Sequence, residues 1–447
     1  MKEQEHMFTN QDLKKLLIPL IIEQLLTSLM GTVDTMMVSN IGSAAISAVS
    51  LVDSINILVI QAFAALAAGG AIICSQYMGK KNMEKARHSA NQLVWSITVL
   101  STVIMVFCLI FKFPILHLVF GNVEKSVMDA SGVYFFYTAL SFPFIAFYNA
   151  GASVFRSRKN SRLPMTVSVI SNGLNITGNA ILIWIFHMGV AGAAISTLGS
   201  RIFCAVVILY KLRKPSEILR ISRFDRIRPD FYQMKKILSV GIPSGIENSM
   251  FQFGKLAIQS TVSTLGTTAI AAQAMTNILE NLNGIAAIGV GIGMMTVVGQ
   301  CIGAGRKDEA VYYVKKLTGI AEIVLVASCL LVFILVRPIT ILGGMEPKSA
   351  AMCISMVTVI TIVKPLFWVF SFIIAYGMRA AGDVKFSMIV SACTMWIFRV
   401  SLCIFLCRVM GFGPMGVWIA MFTDWFVRSI IFTMRFHSRK WMEHQVI

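Results

Sequence analysis

The stretch "IPLIIEQLLTSLMGTVDTMMVSNIGSAAISAV", residues 18–49, decides the fold in two ways. It is apolar for longer than the roughly 20 residues that carry a helix across a hydrocarbon core, yet it keeps Asp34 in a run otherwise uncharged from Gln24 to Val52. An ionisable group at that depth is costly and is normally turned toward the interior of a bundle, where it serves function. The stretch also comes back. Sliding the chain on itself by 224 residues, without a gap, superposes Ile18 on Ile242, Pro19 on Pro243, Glu23 on Glu247, Gly42 on Gly266, Ala45 on Ala269, Ile46 on Ile270 and Ala48 on Ala272. The register continues with Gln76 on Gln300, Gly79 on Gly303 and Ala86 on Ala310.

Composition agrees with a membrane-embedded chain. Of 447 residues, 56% are hydrophobic and 13% charged, against about 25% charged in an average soluble domain. Twelve apolar runs are centred on 13–38, 45–75, 90–111, 131–154, 163–186, 189–210, 237–262, 269–298, 315–336, 351–377, 386–407 and 413–433. They are long and continuously apolar, whereas barrel strands alternate every second residue, so the spans are helices. The run after Lys14 and Lys15 carries Glu23 and Asp34 and has no small-x-small cleavage site, so it reads as a retained span and not a cleaved signal.

With the N terminus inside, the inner loops and tails collect 29 of the 39 Lys and Arg, and the outer loops hold Lys112, Lys125, Arg337, Lys348 and Arg408. Positive-inside places both termini in the cytoplasm, and a plasma (inner) membrane is the expected location. The net charge of +18 is then topology and attraction to anionic lipid, and no basic stripe with interleaved aromatics points to nucleic acid. The nine cysteines are scattered through apolar runs without a C-x-x-C pair, as packing thiols are. No G-x-x-x-x-G-K-[ST] loop occurs. The glycines of "GIAAIGVGIGMM" (284–295) lie inside a span and read as close helix packing.

Two copies of six helices, both starting on the same side, are related by an axis along the membrane normal. The expected division is an N-terminal lobe 1–212, a basic cytoplasmic linker 213–234 and a C-terminal lobe 235–447. Such a duplicated bundle suits a transporter with alternating access. An enzyme is not expected, because His6, His88, His117, His187, His437 and His444 are dispersed in tails, loops and helix ends. No cofactor is expected either.

At residues 18–49, "SQYMGKKNMEKA" (75–86), "GIPSGIENSMFQFGKLAIQSTVSTLGTTAIAAQA" (241–274), "VVGQCIGAGRKDEA" (297–310) and "YGMRAAGD" (376–383), the chain resembles the multidrug and toxic compound extrusion (MATE) family. The duplicated Gln-x-x-Gly loops at Gln76–Gly79 and Gln300–Gly303 carry much of that likeness. The resemblance implies a V-shaped pair of six-helix lobes exporting organic, often cationic, compounds in exchange for protons or sodium ions. The chain is expected to work as a monomer in contact with membrane lipid. A flippase for lipid-linked precursors, from the wider superfamily, is the nearest alternative.

Candidate site residues fall into three groups. Asp34, Asn175, Asn179 and Thr197 place a carboxylate, two amides and a hydroxyl in the outer half of the first, fifth and sixth spans, a set able to hold a proton or a hard cation such as sodium. The resemblance assigns ion coupling to Asp34 and matches a fifth-helix Asn-x-x-x-Asp to Asn175 and Asn179, the second of which departs from the pattern. The alternative for Asp34 is a permanent ion pair, with Arg201 or across from Asp53. Asp53, Lys255, Glu280, Lys364 and Arg399 are candidates for a substrate cavity, with structural bridging, as between Asp424 and Arg428, the competing reading for the charges of the second half. Glu23 and Glu247, with Arg156 and Arg379 in matching inner turns, are candidates for an inner gate or for anchoring.

Overall fold

A computed structural model describes residues 6–39, 41–121, 124–214, 219–221, 227–444 and 446–447. Helices account for nearly all of them, and no strand occurs among the described residues. In order they are α1 (Asn10–Ser39), α2 (Ser43–Gly79), α3 (Met83–Ile110), α4 (Lys112–Phe120), α5 (Lys125–Leu140), α6 (Phe142–Ser157), α7 (Arg162–Asn179) and α8 (Gly189–Leu212). The second half continues with α9 (Phe231–Val262), α10 (Thr267–Gly303), α11 (Lys307–Leu342), α12 (Pro347–Ala381), α13 (Val384–Thr394), α14 (Leu402–Ile404) and α15 (Pro414–His437). Segments Ala180–Ile185, Met395–Ser401 and Phe405–Val409 are wound as π-helix. The expected linker 213–234 lies partly outside the described residues.

Ten of these helices are long and apolar enough to cross a membrane, and the pair α5 and α6, bent by 41°, supplies an eleventh. The remaining expected span, 237–262, is the body of α9. That helix has 32 residues, but Glu247, Asn248, Gln252 and Lys255 interrupt its apolar run. The duplication is visible in the backbone as well. Gly42 and Gly266, repeat mates, precede α2 and α10 with φ of 141° and 92°, a region an L side chain avoids.

The compact units do not divide at the linker, as lobes 1–212 and 235–447 would. One comprises Leu26–Gly245 with Ile447, the other Met1–Leu25 with Ile246–Val446, so the cuts fall inside α1 and α9. Side-chain packing gives the reason. Leu13, Leu16, Leu17 and Leu20 of α1 are buried in one cluster with Val290, Met294 and Val297 of α10. A Cβ built on Gly289 stands 2.9 Å from the Ile21 backbone, and one on Gly69 of α2 stands 2.8 Å from the Gly241 backbone of α9. Small residues thus let each leading half-helix pack at backbone contact distance, the close packing expected of the glycines of 284–295. In the Leu26–Gly245 unit, Phe63 meets Phe142 edge-on at 6.1 Å, and Ile73, Leu93, Val94, Val154 and Ile208 are buried.

All nine cysteines are free thiols, eight of them buried and Cys393 exposed. This fits the packing role expected of them, with Cys393 as the exception.

Candidate functional site

Asp34, Asn175, Asn179 and Thr197 come together in the Leu26–Gly245 unit. Asn175 and Asn179 are one turn apart on α7, so their amides stack on one face, and both are buried. Asn179 Nδ2 donates to Asp34 Oδ1 at 2.8 Å and to Asn175 Oδ1 at 3.3 Å. Asn175 Nδ2 donates to Thr197 Oγ1 at 3.3 Å, and that hydroxyl donates to the Ala193 carbonyl at 3.0 Å. Ser196 Oγ holds the Asn175 carbonyl at 2.8 Å. The α-helical hydrogen bonding of α7 ends at Asn179, where the π-helical segment Ala180–Ile185 begins; single wide turns of this kind recur at functional sites. Asn179 Oδ1 is buried without a hydrogen-bond partner. One donor therefore faces Asp34 and one acceptor stands spare beside it, an arrangement with capacity for a proton or a cation.

A second carboxylate lies in the same unit. Asp53 Oδ1 accepts from Asn56 Nδ2 at 3.1 Å and from the Tyr134 hydroxyl at 3.2 Å. Arg201 Nη1 donates to Ser141 Oγ at 2.7 Å. It acts on both carboxylates across space, but no ion pair within 4 Å joins it to either among the described residues. The expected alternative of an Asp34–Arg201 bridge is not what this conformation contains. Glu23 and Asp34, eleven residues apart on α1, fall in different compact units.

The charges of the other unit are largely paired. Lys364 Nζ, fully buried, sits 2.5 Å from Glu280 Oε1 and 2.8 Å from the Glu280 carbonyl, with its ammonium 5.0 Å from the Trp368 ring centre. Asp424, fully buried, lies 2.9 Å from Arg399 Nη2 and 3.1 Å from Arg428 Nη2. Arg399, a candidate for contact with substrate, is 2% exposed. Its guanidinium is paired with Asp424, since burying either charge alone costs far more than burying the pair, although its Nε and Nη2 lack hydrogen-bond partners. Lys255 is exposed on α9, with its ammonium 5.0 Å from the Phe251 ring centre. Glu247 Oε1 accepts from Arg379 Nη2 at 2.7 Å. Glu23 is buried, and Arg156 is half-buried at the end of α6.

The MatE family model matches residues 19–181 and again 243–405. Both the starts and the ends of the two matches are 224 residues apart, the same offset that the sequence shows against itself. The chain belongs to the MATE family. Two of its relatives span nearly all of its length. It is 26% identical over 429 residues to the uncharacterized transporter YisQ of Bacillus subtilis, covering 95% of this chain and 93% of that protein. It is 24% identical over 452 residues to a probable multidrug resistance protein NorM of Thermotoga maritima, covering 98% and 94%. An outward-facing structure of a multidrug resistance MATE family transporter superposes with a TM-score of 0.89 at 20% identity over 96% of each chain. Members of the MATE family are transporters, and this chain is a multi-pass membrane protein of that family.

Several polar groups of this MATE protein were not among the sequence candidates. Asn56 reaches Asp53 from three residues on along α2, whereas Tyr134 reaches it from α5, 81 residues away, and no local spacing rule links that second pair. Asp424 was noted only for its bridge to Arg428, four residues on, while the partner on the other side, Arg399, comes from another helix. Glu322 on α11 is half-buried in an apolar run, with Oε2 lacking a hydrogen-bond partner. A lone acid between Ala321 and Ile323 is the signal that marks it.

Proposed function

We propose that this chain is a cation-coupled antiporter that exports organic, cationic or amphipathic compounds by alternating access, with Asp34 as the coupling carboxylate. The observation that carries the reading is the hydrogen-bonded series Thr197, Asn175, Asn179, Asp34, which ends on an acid at membrane depth. From the outside, Asp34 takes up the ion, loses its effective charge and releases a cationic cargo. Facing inward it gives the ion up and attracts cargo again.

The proton is the favoured ion. A sodium site requires several converging oxygens, whereas the amide nitrogen of Asn179 points at Asp34. Reorienting that amide offers its oxygen to a protonated carboxyl, so the same two side chains satisfy both charge states. The second carboxylate expected on this helix is replaced by Asn179, leaving Asp34 as the acid in the series. In this reading the protein acts as a monomer in the plasma (inner) membrane with both termini cytoplasmic, and Glu247 with Arg379, Glu23 and Arg156 belong to the cytoplasmic closure.

Dye efflux from proteoliposomes under separately imposed proton and sodium gradients tests this, with Asp34→Asn alongside. A proton gradient is expected to drive efflux in the parent and not in the variant. Equal transport by both proteins under either gradient defeats the proposal, and lipid scrambling without dye movement points to a flippase.

A further inference from the structure

The two copies share a scaffold and differ in sign. Of the Lys and Arg residues, Arg201, Lys255, Lys364, Arg399 and Arg428 lie within spans, and four of these five belong to the second copy. At the offset of 224, Lys255 stands where the first copy has Gly31, Glu280 where it has Asn56, Arg399 where it has Asn175 and Asp424 where it has Ser200. Two amides, a glycine and a serine of the first copy thus stand where the second copy carries charges.

That charged network does not balance. Glu280 is committed to Lys364, and Asp424 is shared between Arg399 and Arg428. Four cations against the two carboxylates paired within this group leave a formal excess of +2, or +1 once Glu322, the half-buried acid of α11 in the same unit, is counted. Lys255 has no carboxylate within 4 Å among the described residues. The charged groups near enough to act on it are Glu280, already paired, and Arg399, of its own sign. Its ammonium lies over Phe251, whose ring also faces the Arg399 guanidinium at 5.1 Å. Phe372 packs edge-on against Phe251 at 6.5 Å, and Trp368 lies 5.1 Å beyond Phe372. Lys255 stands seven residues before the end of α9 at Val262, about 10 Å along the axis. A cation at that depth turned to lipid is expensive, so it faces the protein interior. It is nonetheless exposed, beside an aromatic wall of the kind that forms ligand sites.

We propose that the C-terminal unit holds a subsite for the carboxylate of a zwitterionic or amphipathic cargo, with Lys255 as its charged contact and the Phe251 ring as its apolar floor. Lys255 supplies the ion pair, and the unneutralised charge of the Arg399, Asp424 and Arg428 group adds attraction from behind the ring. The inference deepens the exporter reading by naming a class of cargo, and it is tested by binding at equilibrium, without any gradient.

The probes are 1-pyrenebutyrate and its methyl ester, which share ring and chain and differ in charge. Their binding to the full-length protein in phosphatidylcholine nanodiscs is read by energy transfer from tryptophan to pyrene. A hydrogen-bonded ion pair in a partly desolvated site predicts a ratio of acid to ester affinity at least about tenfold larger in the parent than in Lys255→Met. Lys255→Arg keeps the charge and is expected to retain the ratio, which separates loss of the contact from loss of folding. An unchanged ratio in Lys255→Met, or no saturable binding of either probe to the parent, overturns the proposal. If phosphatidylglycerol displaces both probes and the parent does not distinguish acid from ester, the subsite belongs to lipid phosphate and the proposal also fails. None of these results bears on Asp34, whose role is read from gradient-driven efflux.

Discussion

Replacing Lys364 by methionine tests whether the charges of the second copy are structural. Lys364 is fully buried, with its ammonium held by the Glu280 carboxylate and carbonyl and by the Trp368 ring. Lys364→Met keeps the length and the apolar stem but leaves Glu280 alone in a low-dielectric site. Removing one partner of a buried pair costs about 3–5 kcal/mol, whereas replacing both by apolar residues of similar volume is often neutral or favourable. A kilocalorie moves the midpoint of a domain of this size by about 2–4 °C, so the single variant is expected to unfold roughly 6–20 °C below the parent. The double variant Glu280→Leu with Lys364→Met is expected to recover most of that loss. The assay is thermal unfolding of detergent-solubilised protein followed by near-ultraviolet circular dichroism. A single variant within about 2 °C of the parent, or a double variant no better than the single, refutes the reasoning.

Two further outcomes follow from local geometry. Gly289→Val places a branched Cβ against the Ile21 backbone, 2.9 Å away, and is expected to detach the first half of α1, seen as a lower melting temperature and faster proteolysis near Leu17; a parent-like profile contradicts the packing described. Asp230 caps α9, its Oδ1 accepting from the N–H groups of Tyr232 and Gln233 while Oδ2 meets His88 Nε2 at 2.8 Å. The His88 contact, helped by those N–H groups, holds its carboxyl below the usual aspartate range. The cap therefore contributes fully at neutral pH and weakens only as pH falls below about 3.9 toward the lowered folded value. Asp230→Asn is expected to speed amide exchange in the first turn of α9 at pH 7, with the difference from the parent shrinking below the aspartate range. A difference that persists undiminished in acid argues against this origin.

The site in the first copy was legible because its signals are local. Asn175 and Asn179 share a helix face by spacing alone, and Asp34 stands out as a lone charge in an apolar run. The offset of 224 residues was readable from identities such as Gly42 with Gly266 and Gln76 with Gln300. What could not be read depends on contacts between distant segments. Asp424 has one neighbour four residues away, which spacing reveals, and another, Arg399, which only helix packing brings to 2.9 Å. Treating Arg399 as a cavity residue followed from that blind spot. The exchange of leading half-helices between units was equally hidden, since the four buried leucines of α1 announce an apolar face but not which surface covers it. α9 reads as a span by length, while its polar side chains record what it packs against.

Asp34 is proposed to carry the coupling ion. Exchange of one proton on this carboxyl for one monovalent cation moves no net charge, so a pH difference drives it and a membrane potential does not. The most direct measurement is proton flux, read by pyranine sealed inside proteoliposomes, as ethidium is added to parent and Asp34→Asn protein. Dye-dependent proton movement is expected in the parent, near one proton per ethidium and insensitive to potential, and none in the variant. Dye-driven proton movement by Asp34→Asn at the parent's stoichiometry would contradict that role of Asp34.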